Sequence, residues 1–130
     1  MYHTVLACQE GNVEVAKYLC SKGGIMKYPG ETESFITLAS RNGHLDTIKW
    51  LVIEKGFSLQ AMNHYGTCLM NACELCHIDC IIWMLSNGSS LAENTKLDYN
   101  GNILTSKSGE EILKLNGFYE DVQSMLTSKN

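Results

Sequence analysis

Apolar residues fall in short bursts along this chain, each at helical spacing. Val13, Val15, Ala16 and Leu19 form one burst. Leu45, Ile48, Leu51 and Val52 form a second, and Ile78, Ile81, Ile82 and Leu85 a third. A period of about 3.6 residues puts each set on one side of a short helix. A less regular apolar segment precedes each burst, and a polar turn carrying Gly11, Gly43 or Cys76 separates the two. Helices this short persist only when packed against neighbours. The pattern predicts helix pairs at roughly 2–10 and 12–21, 34–42 and 44–54, 67–75 and 77–86, and 109–116 and 118–127. Loops are expected over 24–33, 57–66 and 89–107. The last should hold a hairpin, because Asn100-Gly101 is a type I′ turn signal flanked by Leu97, Tyr99, Ile103 and Leu104. Ser108-Gly109-Glu110-Glu111 reads as a capping box opening the next helix.

The bursts are copies of one unit. ACQEGNVEVAKYL (7–19), ASRNGHLDTIKWL (39–51) and ACELCHIDCIIWM (72–84) align along their length, with the alanines stepping by 32 and then 33 residues. Gly11, Gly43 and Cys76 are equivalent, as are Asn12, His44 and His77, then Glu14, Asp46 and Asp79. Tyr18, Trp50 and Trp83 form an aromatic column, expected to face the core in every copy. Gly23, Gly56 and Gly88 close the units, and LNGFYEDVQSML (115–126) repeats the second half once more. The small Ala7, Ala39 and Ala72 allow close approach of neighbouring first helices.

This period, with TxLxxAxxxGHxxxxxxL inside it, resembles the ankyrin repeat. Thr67 and Leu69 stand where that motif has the Thr and Leu of Thr-Pro-Leu-His, and His44 and His77 stand at its Gly-His pair. No copy has the complete Thr-Pro-Leu-His, and Cys76 replaces a glycine. The resemblance implies an all-α repeat solenoid of stacked helix-turn-helix units with projecting loops or hairpins. The expected organisation is a single domain over 1–130, with units of about 1–30, 31–62, 63–96 and 97–130. It further implies a non-catalytic protein–protein interaction module whose partner docks on a concave face of loop tips and first helices. By position, the candidate contacts are Gln9, Glu10, Glu31, Glu33, Arg41, Asn42, Asn63, His64, Tyr65, Glu74, Leu75, Tyr99 and Asn100. Exposed Tyr and Arg are the natural anchors of such a surface. Val5 and Leu6 would leave the outer face of the first helix apolar, so further repeats or self-association are expected there.

Composition narrows the partners. The 130 residues carry a net charge of −4 and no basic stripe, which argues against nucleic acid. No apolar run is long enough for a membrane span. The N-terminus lacks the basic and apolar regions of a secretory signal, so a cytoplasmic setting with reduced thiols is expected.

The stretch CELCH (73–77) has the spacing of a c-type haem attachment, and Cys68, Cys73, Cys76, His77 and Cys80 together invite a metal- or redox-responsive reading. Register with the other copies gives a simpler account. Cys73 is equivalent to Cys8 and Ser40, Cys76 to the turn glycines, His77 to the motif histidine, and Cys80 to an inward-facing slot held elsewhere by Val15 and Thr47. No cofactor, metal site or catalytic residue is therefore expected. The metal- or redox-responsive domain stands as the alternative function.

Overall fold

A computed structural model of the chain describes residues 10–22 and 31–128. Seven helices occur there: α1 (Val13–Ser21), α2 (Glu31–Arg41), α3 (Leu45–Ile53), α4 (Cys68–Glu74), α5 (Ile78–Ser86), α6 (Gly109–Asn116) and α7 (Tyr119–Ser128). They match the expected helices to within a few residues, the largest difference being that α2 begins at Glu31. The helix expected at 2–10 lies outside the described residues, as do Val5, Leu6, Ala7 and Gly23.

The helices pair within units and stack between them. α2 packs on α3, α4 on α5 and α6 on α7; α4 also packs on both α2 and α6. Ala39 and Ala72 are fully buried, as close contact between α2 and α4 requires. Phe35, Ile36, Ile48, Leu51, Leu69, Met70, Ile81, Met84, Leu113 and Val122 complete one core that runs through the units.

Among the described residues, two hairpins project from this stack. In the first, β1 (Met62–Asn63) pairs with β2 (Gly66–Thr67), inside a segment expected to be loop. Buried Asn71 of α4 holds it: its Nδ2 donates to the carbonyls of Gly66 (3.1 Å) and Thr67 (2.8 Å) and to Asn63 Oδ1 (3.0 Å). In the second, β3 (Thr95–Leu97) pairs with β4 (Ile103–Thr105). β3 lies against the first hairpin.

The second hairpin corrects the expected turn. A type I′ turn needs positive φ at both central residues, but only Gly101 has it (φ 82°). Gly101 N–H donates to Asp98 O (3.1 Å) and Asp98 N–H to Asn102 O (2.9 Å), the pattern of a three-residue loop closed by a glycine bulge. Asp98 imposes it. Its Oδ1 accepts from the N–H groups of Asn100 and Asn102, both at 2.8 Å, and these bonds, led by that from Asn102, hold its carboxyl below the usual range. The capping box forms as expected, with Ser108 Oγ accepting from Glu111 N–H and Glu111 Oε1 accepting from Ser108 N–H.

The aromatic column is corrected in part. Trp50 is buried and Trp83 half-buried, but Tyr18 is 61% exposed. α3 is covered by both α1 and α2, and its contact with α1 is the slighter of the two. Ala16 fills that contact, leaving Val15 and Tyr18 on the outer side, with Lys22 Nζ 5.7 Å from the tyrosine ring.

Candidate interaction surface

The turns between paired helices form a ladder. Gly43 has φ 74°, and a Cβ built there would fall 2.4 Å from His77 Nδ1; Gly11 (φ 76°) stands in the same relation to His44. Each motif histidine thus lies flat on the turn of the unit before it, where only a hydrogen fits. His77 Nε2 also donates to Arg41 O at 2.8 Å, joining two units through one ring. Cys76 repeats the left-handed backbone, with φ 59° on a non-glycine residue. The next unit puts Phe118 in the histidine position, and that ring is 38% exposed. No imidazole follows Cys76 in the ladder, so the space argument that demands glycine at 11 and 43 does not arise at 76.

The thiols are engaged in packing. Cys68, Cys73 and Cys80 are buried and Cys76 half-buried. Burial, helped by Cys76 and the carboxylates of Glu93 and Glu74, pushes the Cys73 thiol up to about 12. Burial, with Asp79 beside it, does the same to Cys80. Burial and Glu74 also raise Cys76. The nucleophilic and metal-binding form of cysteine is the thiolate, which these surroundings disfavour. His77, the fourth ligand of the alternative reading, has its Nε2 on Arg41 O. Among the described residues, no three His, Cys, Asp or Glu side chains converge on a point that could hold a metal ion.

The candidate contact residues separate into groups. Arg41 lies with its guanidinium carbon 3.6 Å from the centre of the half-exposed Tyr65 ring, and its Nη1 is buried without an acceptor among the described residues. His64 packs against Tyr99 with ring centroids 5.0 Å apart and the planes tilted by 45°, and its Nδ1 donates to Leu97 O at 3.1 Å. These two contacts bridge α2, the first hairpin and the second. Between the hairpins and α4 runs a cleft of about 370 Å³ lined by His64, Tyr65, Glu74, Lys96, Ser106, Lys107 and Ile112. Three of the candidates therefore share a wall with four residues that the sequence reading did not name.

The other candidates stand apart from the cleft's lining. Asn63 is tied up inside the first hairpin, accepting from Tyr65 N–H and Asn71 Nδ2. Asn42 Nδ2 donates back to Leu38 O. Leu75, Asn100 and Glu10 are exposed. Glu31 and Glu33 open α2, but their side chains, like all of Gln9, lie outside the described residues. Lys96 was nonetheless within reach of the sequence: it stands 33 residues after Asn63, one repeat step along the same hairpin position.

Residues 3–63 match the family model described as ankyrin repeats (3 copies), a stretch just under half of the chain. The match takes in α1, α2 and α3 and ends inside the first hairpin; α4 to α7 lie beyond it. No curated protein matches the sequence. Repeats of this family are generally non-enzymatic and bind other proteins. Among the described residues, no helix is long and apolar enough to cross a membrane.

Proposed function

Residues 3–63 belong to the ankyrin-repeat family, and on that premise we propose that the chain is a non-catalytic protein-interaction module. In this reading the whole of 1–130 is one solenoidal domain, with units near 1–30, 31–62, 63–96 and 97–130. The partner is another protein, engaged in the cytoplasm by the hairpins and first helices. The observation that carries the proposal is the pairing of Arg41 with Tyr65 beside the cleft. A half-exposed aromatic ring with a guanidinium stacked on it is rigid, amphipathic and already ordered, so docking onto it loses little side-chain freedom. His64 on Tyr99 extends the same surface across the second hairpin.

The test is affinity capture from the native host with the intact chain, compared with the Arg41→Ala/Tyr65→Ala double variant. Partners retained by the wild type should fall by about tenfold or more, as removal of a binding anchor does. Identical recovery of every partner by the folded variant would count against this surface.

A further inference from the structure

We propose that the cleft between the two hairpins binds an acidic peptide segment. This deepens the interaction reading above and rests on it. The observation is one of charge. The protein is acidic overall, at −4. Lys96 and Lys107 nevertheless line one cleft, with Arg41 stacked on the Tyr65 that forms its edge, against the single carboxylate of Glu74. Neither lysine pairs with another described residue: the one ion pair among them joins Lys114 Nζ to Glu110 Oε2 at 3.2 Å. Two unpaired ammonium groups in a concave site attract carboxylates more strongly than the same groups on an open surface, because the low-dielectric walls concentrate their field. The half-exposed Tyr65 ring supplies apolar contact in the same lining, with the edge of the largely buried Ile112.

Glu74 decides which anion fits. A nucleic-acid strand would carry an uninterrupted row of phosphates past this carboxylate. A peptide can direct side-chain carboxylates to Lys96 and Lys107 and turn a backbone N–H or a hydroxyl to Glu74. The mixed lining therefore favours a peptide in which acidic residues are interspersed with apolar ones. Lys107 is exposed and Lys96 half-buried, so solvent ions reach the cleft and the interaction should weaken with added salt.

The experiment follows the fluorescence anisotropy of a labelled peptide of alternating glutamate and leucine, titrated with the full chain at low and near-physiological salt. A lysine–leucine peptide and a labelled single-stranded oligonucleotide are run beside it. The glutamate–leucine peptide should bind, the other two should not, and Lys96→Glu/Lys107→Glu should weaken binding by about tenfold or more. Lys17→Glu/Lys49→Glu changes the net charge equally but alters a different surface, formed with Val13, Trp50 and Ile53. At near-physiological salt it should stay within about twofold of wild type, since surface charges beyond a Debye length are then largely screened. No binding, an equal loss in both lysine pairs, or an oligonucleotide bound as tightly through the same two lysines would each overturn the proposal. Once a partner has been captured, one further result separates the two readings. If its recovery needs Arg41 and Tyr65 but ignores Lys96 and Lys107, the acidic-peptide assignment falls and the interaction module stands.

Discussion

Cys76 and Gly43 hold the same left-handed backbone for different reasons. Gly43 needs both its φ of 74° and the absence of a side chain, because His77 lies on it. Gly43→Ala should therefore destabilise by about 2–3 kcal/mol in urea unfolding, combining left-handed strain with loss of the His77–Arg41 hydrogen bond. Adding His77→Ala should relieve the steric part, so that the two changes cost less together than their sum. Cys76 carries only the conformational penalty. Cys76→Gly should leave the protein as stable or up to about 1 kcal/mol more stable, the removed strain exceeding the entropy that glycine adds to the unfolded chain. The thiols make a separate prediction. Because the folded state holds Cys73 neutral up to about 12 against an ordinary 9.0, its contribution is complete below pH 9 and is lost as pH climbs toward 12. Stability should fall above pH 9 by up to about 1.4 kcal/mol per pH unit from this thiol, and Cys73→Ala should flatten that limb of a stability–pH curve.

At the level of elements, the two hairpins differ in what organises them. The second is built locally, by Asp98 and Gly101, and its turn chemistry is in the sequence even though the turn type is not the one Asn100-Gly101 advertises. Asn-Gly permits two positive φ values; Asp98, accepting from Asn100 and Asn102, favours a loop that uses one. The first hairpin is only two residues per strand, and its stability comes from α4. Asn71 is buried and serves two hairpin carbonyls and Asn63. Asn71→Ala should cost about 2–3 kcal/mol, since carbonyls lose their donor within a buried site. The loss should appear in hydrogen exchange first at Met62–Thr67, and in weakened stacking of Arg41 on the displaced Tyr65.

Across the whole molecule, α4 is the central element, packed on α2 and α6 as well as on its own partner α5. Leu69→Ala, in α4, should cost about 2–5 kcal/mol and lower amide protection in α2, α5 and α6 together. Val122→Ala, in α7, should lower protection mainly in α5, α6 and α7, because coupling in stacked units passes between nearest neighbours. Equal protection losses throughout the chain after either change would contradict nearest-neighbour coupling.

The apolar bursts, the recurring Ala, Gly and His positions and the acidic first turns were enough to place the helices and their pairing, because those features act within one or two turns and repeat in register. They also give CELCH a reading other than a cofactor tag: a repeat position accounts for each of its cysteines. Tyr18 shows where the pattern stops. Its register matches Trp50, but burial depends on how closely neighbouring helices cover the position, which no single unit encodes. The cleft lies beyond the same limit. His64, Tyr65 and Glu74 could be proposed from repeat register, and Lys96 by one further step. Lys107 and Ile112 reach the site only because the second hairpin folds back against the first and α6 packs on α4. Local chain chemistry settles which residues are helical or turning. Which charges meet across a cleft is settled by long-range packing, because Coulomb attraction depends on distance in space and not on separation along the chain.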